Sequence, residues 1–206
     1  MAGKYYAVRK GRETGIYRSW DECKALVSGF AGAEYKSFKT LEEAEAYMGN
    51  NADNQMSFEE LIATCKDNPD VLVAYVDGSF AEAHGAFSYG MIAFHMGEEI
   101  RECESSSDED LVSMRNVAGE IMGSQAAMRL ALERKCSEVH IFHDYTGISK
   151  WCLGEWKTNK NGTRAYKEYY DKVSSELNIV FHKVAGHSGD IYNDEADRLA
   201  KSALHL

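Results

Sequence analysis

Four acidic residues stand where a strand end or a helix face could direct them into one cleft. They are Asp77 in YVDGSF, Glu120 in NVAGEIMG, Asp144 in IFHDYTG and Asp197 in NDEADRLA. Carboxylates packed together repel one another unless cations lie between them, and clustered oxygen ligands favour hard ions such as Mg²⁺. Two such ions about 4 Å apart support in-line attack at phosphorus. The four residues therefore predict a metal site for phosphoryl chemistry.

Two of these acids follow predicted buried strands. Asp77 follows the apolar residues 71–76 of VLVAYVDGSF, and Asp144 follows a second apolar run at residues 139–142. A predicted helix connects the two strands as a crossover. If the strands are parallel neighbours, their carboxyl ends lie side by side, where α/β sheets bind ligands. A single aspartate after a strand is usually a turn former. The interpretation therefore depends on two aspartates occurring at matching strand ends.

The other two acids lie on predicted helices. Glu120 shares a helical face with Val117, Ser124 and Ala127, which is the face expected to meet the sheet. A buried carboxylate without a partner is costly, so Glu120 either joins a charged site or turns outward to water at an edge. Asp197 lies in the last predicted helix, where an aspartate is unremarkable on its own.

A histidine lies beside this group in sequence. His187 occupies the turn GHSGDIYND between the last predicted strand and the last helix. An exposed imidazole beside a metal site could shuttle protons, and the alternative is a loop histidine without a role. The sequence shows no Ser/His/Asp arrangement and no phosphate-binding glycine loop.

The composition favours a globular protein with an uneven charge distribution. The chain has 206 residues, 44% of them hydrophobic, and five cysteines without a CxxC pair. An odd number of cysteines and the absence of an apolar leader at the start predict a cytoplasmic protein with reduced thiols. The net charge is −10. Residues 1–40 nevertheless hold eight Lys and Arg against four Asp and Glu, which suggests that this part binds a polyanion.

The N-terminal part reads as a small ββαβα unit. Strands are predicted at residues 4–9, from residue 16 and at residues 35–38. Ser19 and Glu22 form a capping box before one helix, and Thr40 and Glu43 repeat that signal before another. This unit interleaves large aromatics with cations, a combination that suits nucleic acid, although part of the aromatic set must also form the small core. The residues concerned are Tyr6, Trp20, Tyr35, Arg9, Lys10, Arg12, Lys36 and Lys39.

A linker and a larger α/β unit follow. We predict domains at residues 1–49 and 71–206, joined by a linker at residues 50–70 that holds the only proline and a short amphipathic piece. After residue 71, a three-strand meander precedes the long helix of Glu120. Two further strands and three further helices complete this unit.

From residue 71 onward the chain resembles type 1 ribonuclease H. YVDGSF, the helix of Glu120, the HD at Asp144 and GHSGDIYNDEADRLA carry the resemblance, in the family's order. It implies an α/β fold with a five-stranded mixed sheet flanked by helices. Nothing in the sequence demands a dimer, so we expect a monomer, although the sequence leaves the oligomeric state open. It also implies an endonuclease that hydrolyses the RNA strand of RNA–DNA hybrids with two Mg²⁺ or Mn²⁺ ions, leaving 3′-hydroxyl and 5′-phosphate ends. Asp77, Glu120, Asp144 and Asp197 would be metal ligands, and His187 would assist protonation and product release.

Residues 1–48 resemble the hybrid-binding, or viroplasmin-like, domain found ahead of many such enzymes. This resemblance implies that Tyr6, Trp20, Tyr35 and Lys36 hold the DNA strand. The loop at residues 29–32 would offer backbone groups to RNA 2′-hydroxyls.

The chain also departs from the family's pattern. Only Asn116 keeps an amide for minor-groove contact before Glu120, and Tyr145-Thr146 replaces the frequent Ser-Gln after Asp144. The basic helical handle of some members is absent, and residues 157–159 (Lys-Thr-Asn) are a candidate phosphate contact. Two other functions stay open: a binding protein with an inactive second domain, and a nuclease of the same fold that acts on DNA.

Overall fold

The computed structural model describes residues 4–30, 32–41, 44, 47, 57–186 and 190–206. The chain divides into two compact units, Met1–Ser57 and Phe58–Leu206. Among the described residues, no helix combines the length and apolar character needed to cross a membrane.

The described residues of the first unit include a three-stranded antiparallel sheet and a helix packed beside it. Its central strand β1 pairs with β2 on one side and β3 on the other. The helix begins at the predicted capping box, where the Glu22 backbone N–H donates to Ser19 Oγ at 3.3 Å and the Ser19 N–H donates to Glu22 Oε2 at 3.1 Å. Most of the helix predicted after Thr40 lies outside the described residues. The elements are β1 (Tyr5–Lys10), β2 (Gly15–Tyr17), α1 (Trp20–Val27) and β3 (Glu34–Phe38).

The second unit contains a five-stranded mixed sheet with the strand order β6-β5-β4-β7-β8. Strands β4, β5 and β6 form an antiparallel meander, whereas β4, β7 and β8 run parallel. This topology confirms the predicted fold class. The strands are β4 (Val71–Ala81), β5 (Ala86–His95), β6 (Glu98–Ser106), β7 (Glu138–His143) and β8 (Asn178–Lys183).

Helices cover both faces of this sheet. Along β4, side chains alternate between the faces, so that Leu72 and Ala74 join the larger core whereas Val71 and Val73 join the smaller one. Because both faces are buried, the strand reads as a continuous apolar run. The helices are α2 (Phe58–Asp67), α3 (Glu109–Val112), α4 (Asn116–Glu133), α5 (Gly147–Cys152), α6 (Asn161–Val173) and α7 (Ile191–Ala203).

The second half of the predicted linker differs from our expectation. Residues 58–67 form α2, and its Leu61 and Cys65 are buried in the smaller core. The ring of Phe58 meets Tyr75 edge-on, with 5.2 Å between the ring centroids. The apolar spacing of i, i+3 and i+7 gives α2 a face that must be covered, which explains why it packs on the sheet.

Two further differences concern helix boundaries. The helix predicted from residue 165 begins at Asn161, where the Lys160 N–H donates to Thr163 Oγ1 at 3.2 Å. The short helix α3 was not predicted, and Asp108 caps it through a bond from the Asp110 N–H at 2.9 Å. Both helices begin at local capping hydrogen bonds, which the sequence indicates only weakly.

Candidate active site

Three of the four predicted acids converge in the structure. Asp77, Glu120 and Asp144 each offer an oxygen atom, and these atoms all lie within 4.8 Å of one another. The sheet explains the meeting of the two aspartates, because Tyr75 of β4 pairs with Phe142 of β7 and each aspartate lies two residues beyond that pair. The parallel strand ends therefore bring them to the same edge, as the sequence predicted.

Two glycines allow α4 to approach the sheet closely enough to bring Glu120 to the aspartates. A Cβ atom on Gly78 would lie 2.3 Å from the Asn116 carbonyl oxygen and 2.4 Å from the Glu120 nitrogen. A Cβ atom on Gly119 would lie 1.9 Å from the Ser88 carbonyl oxygen. Because neither residue has a side chain, the helix backbone rests directly on β4 and β5, and Glu120 points toward Asp77.

The site concentrates negative charge in a buried place. Burial, and next the charge of Asp144, raise the pKa of Asp77 to about 6. Burial, followed by the charges of Asp77 and Asp144, raises the pKa of Glu120 well above its ordinary value. Glu120 Oε2 is buried without a hydrogen-bond partner among the described residues. An orphaned carboxylate oxygen beside two other carboxylates fits a divalent cation with a preference for oxygen ligands.

This repulsion predicts that the metal-free protein gains stability when Asp77 is replaced with Asn. The folded-state pKa of Asp77 is raised from 3.8 to about 6, so stability falls as the pH rises through that window. Asp77→Asn removes this loss and should stabilise the metal-free protein at pH 7 by about 1–3 kcal/mol. Urea unfolding in EDTA at pH 4.5 and pH 7 measures the difference between the variant and the wild type.

Other buried groups that titrate between pH 4 and pH 7 are the same in the wild type and the variant. Burial lowers the pKa values of His143 and His182 to about 4, and these residues destabilise the fold as the pH falls. Both proteins retain the two histidines, so their contribution cancels in the difference. A variant that is less stable than the wild type at pH 7 would contradict the repulsive site.

The fourth predicted acid stands apart from the other three. Asp197 forms an ion pair with Lys201, with 2.6 Å between Oδ2 and Nζ, and does not belong to the close carboxylate group. It is still near enough for its charge to contribute to the raised pKa of Asp77. The ligand role of Asp197 stays a prediction. His187 lies outside the described residues.

In the first unit, the predicted aromatic residues form one row. The ring centroids of Tyr6 and Trp20 lie 5.8 Å apart, and those of Trp20 and Tyr35 lie 5.7 Å apart. Trp20 is 41% exposed and Tyr35 is 45% exposed, so the row presents flat apolar faces to solvent. Lys36 follows Tyr35 on β3 and places its Nζ atom 5.6 Å from the Phe38 ring centroid. Successive strand residues point to opposite faces, so Lys36 lies on the other face from the row.

The remaining predicted contact, Asn116, is exposed at the first residue of α4. A pocket of about 260 Å³ borders this helix start and the residue after Asp144. We did not predict Tyr145 and Trp151 as site residues, yet both line this pocket with their ring centroids 5.7 Å apart. The two tryptophans followed by two lysines in WCLGEWKTNK were the available signal for Trp151, and no comparable signal marked Tyr145. The lining residues are Met114, Val117, Tyr145, Trp151, Lys157, Asn159, Lys160 and Thr163.

Comparison with known proteins agrees with this geometry. The family model described as the ribonuclease H1 N-terminal domain matches residues 4–48, and the RNase H model matches residues 69–205. Mouse ribonuclease H1 is 26% identical over 258 residues, covering 97% of this chain and 88% of the mouse protein. Ribonuclease H of Francisella philomiragia is 32% identical over 155 residues, covering 69% of this chain and 95% of that protein.

A solved structure shares the fold of the second unit. The crystal structure of LC11-RNase H1 in complex with RNA/DNA hybrid superposes with a TM-score of 0.53 at 17% identity. The match covers 65% of this chain and 96% of that one. Because the RNase H model spans well over half of the sequence and a relative above 30% identity is covered almost completely, the chain belongs to the ribonuclease H family of hydrolases, with the N-terminal domain of ribonuclease H1 ahead of the catalytic fold.

Proposed function

We propose that the protein is an endonuclease that cuts the RNA strand of RNA–DNA hybrids with two divalent ions, leaving 3′-hydroxyl and 5′-phosphate ends. The observation that carries the proposal is the convergence of Asp77, Glu120 and Asp144 at one sheet edge of a ribonuclease H fold. The hybrid bound to LC11-RNase H1 supports the same substrate class for this chain.

The carboxylates of this edge would hold the ions, which would be Mg²⁺ or Mn²⁺. When bound, such ions act as Lewis acids and balance the charge that develops on phosphate oxygens. The protein contributes a rigid and largely buried frame: Asp77 Oδ1 is fixed by a bond from the Gly78 N–H at 2.7 Å, while Glu120 Oε2 keeps its lone pairs available. Asp197 would be the fourth carboxylate ligand of the ions.

His187 would move protons at the same edge. Its preceding residue, Gly186, lies against the Asp144 carboxylate, because a Cβ atom on Gly186 would be 2.5 Å from Asp144 Oδ2. This close approach places the residue before His187 at the site and supports the proposal that His187 carries a proton to the leaving group.

The first unit would hold the hybrid through its aromatic row. Nucleic-acid bases and sugars stack on exposed aromatic faces, and each stacked base contributes about 1–3 kcal/mol. A linked binding unit raises the local substrate concentration at the catalytic unit and favours repeated cutting of long hybrids. Tyr6, Trp20 and Tyr35 would supply stacking, while Lys36 would contact a phosphate from the opposite face of β3.

Replacing Trp20 with Ala is therefore expected to weaken hybrid binding roughly tenfold, because it removes the middle of the row. The turnover rate at saturating hybrid should stay unchanged, since the carboxylates are untouched. Fluorescence anisotropy with a labelled hybrid in EDTA measures the affinity. Leu41→Ala is the matched control, because Leu41 is 38% exposed in the same unit and lies outside the row. Equal losses in both variants would contradict the stacking role.

A comparison of substrates tests the proposed function. The wild-type protein is incubated in Mg²⁺ or Mn²⁺ with an end-labelled RNA–DNA hybrid, double-stranded RNA and double-stranded DNA of one sequence. We expect internal cuts in the RNA strand of the hybrid alone, with products that ligase accepts at the 5′-phosphate. Cutting of DNA would favour a DNA nuclease of the same fold. Tight hybrid binding without a metal-dependent product would favour a binding protein. The cytoplasmic location and the monomeric state stay predictions.

A further inference from the structure

One buried hydroxyl lies between the segments that hold two of the carboxylates. Tyr166 of α6 is fully buried, and its hydroxyl lies 2.7 Å from Ser124 Oγ and donates to the Ile148 carbonyl oxygen at 3.3 Å. Ser124 lies four residues after Glu120 on α4, and Ile148 lies four residues after Asp144. The phenol therefore links a residue four positions after Glu120 to a residue four positions after Asp144.

The hydrogen-bonding capacities of these groups define the direction of the bonds. A phenol has one proton, so donation to Ile148 leaves its oxygen to accept from the Ser124 hydroxyl. Burial raises the pKa of the neighbouring Cys152 thiol to about 12, so this group adds no charge to the buried network at neutral pH. The resulting network connects α4, α5 and α6 through groups that water cannot reach.

A network of this kind is not needed to fill space. A phenylalanine and an alanine would occupy nearly the same volume without burying polar groups, and such pairs are often neutral or stabilising. Polar groups that are fully satisfied in a core instead specify one arrangement of the elements that they join. Here the elements joined are those that set the separation of Glu120 and Asp144.

We propose that Tyr166 is a positioning residue that holds Glu120 and Asp144 at the separation required by the divalent ions. This inference rests on the proposed function, since it concerns the same metal site. Without the phenol oxygen, Ser124 and the Ile148 carbonyl lose their common partner, and α4 can shift relative to α5. Loss of a group that is hydrogen-bonded directly to a metal ligand typically costs about 10–100-fold in metal affinity, and we expect the lower end of that range for Tyr166, which acts one helical turn away from Glu120.

Mn²⁺ binding to the intact protein without nucleic acid tests the proposal. Electron paramagnetic resonance counts free Mn²⁺ during a titration and therefore does not depend on activity. Tyr166→Phe is expected to weaken Mn²⁺ binding about tenfold. Its KM for the hybrid should stay unchanged, while kcat at limiting metal falls. Tyr89→Phe is the matched control, because Tyr89 is equally buried but its hydroxyl donates to Glu102 on the edge strand β6.

The double variant Ser124→Ala with Tyr166→Phe separates positioning from stability. It removes both polar partners, so its melting temperature should recover toward that of the wild type while its Mn²⁺ affinity stays low. Unchanged Mn²⁺ affinity in Tyr166→Phe would overturn the inference. An equal loss of Mn²⁺ affinity in Tyr89→Phe would also overturn it. The same holds if the double variant regains both its melting temperature and its Mn²⁺ affinity. A wild-type protein that binds no Mn²⁺ would instead overturn the proposed function itself.

Discussion

Replacing Asp144 with asparagine is expected to lower the rate of hybrid cleavage by about a thousandfold or more, because the site loses one of three converging charges. The side chain keeps its shape but no longer attracts a divalent cation as strongly. The variant should remain folded, since the substitution also relieves repulsion with Asp77 and Glu120. Initial rates with a labelled hybrid at several Mg²⁺ concentrations measure the effect.

Asp171→Asn provides the control for this experiment. Asp171 lies on α6, where its carboxylate pairs with Lys167, and its side chain is 55% exposed. An exposed ion pair contributes little, so this variant should cut at the wild-type rate. A rate for Asp144→Asn within tenfold of the wild type would remove Asp144 from the chemistry.

The second large effect concerns Gly119. Alanine at this position would place its Cβ atom 1.9 Å from the Ser88 carbonyl oxygen, a backbone atom that cannot rotate away. Helix α4 would have to move off the sheet and carry Glu120 away from Asp77. We expect a loss of about 3 kcal/mol or more in the free energy of unfolding, together with loss of cleavage. Urea denaturation gives the first quantity.

Gly123→Ala tests whether the effect is specific to that close approach. Gly123 lies on the same helix, but an added Cβ would lie 3.1 Å from the Val76 Cβ and 3.2 Å from the Tyr89 Cβ, which requires a shift of only a few tenths of an ångström. A small adjustment can accommodate it, and alanine is the better helix former. Similar losses in both variants would show that the Gly119 contact has no special role in positioning Glu120.

The carboxylate site could be predicted from sequence because its two aspartates depend on local signals. Each follows an apolar run, and a helical crossover between parallel strands brings their ends together. Glu120 was also recognisable, since its face of α4 includes Ser124 and Ala127, which are fully buried with it against the rest of the unit. These predictions needed only periodicity and the order of the elements.

Other features depend on contacts between residues that are distant in sequence. Helix α2 was taken for part of the linker because its short amphipathic pattern does not show which surface it covers. The link from Ser124 to Tyr166 joins residues 42 positions apart, and neither side chain has a local signal that identifies the other. Packing decides such features, and periodicity does not contain that information.

The measurement that tests the central claim most directly is the anomalous scattering of Mn²⁺ in crystals of the wild-type protein with an uncut hybrid analogue. We predict two peaks about 4 Å apart, coordinated by oxygen atoms of Asp77, Glu120 and Asp144 and by the RNA phosphate. Crystals with the analogue bound but without Mn²⁺ at these carboxylates, even at high metal concentration, would contradict the account.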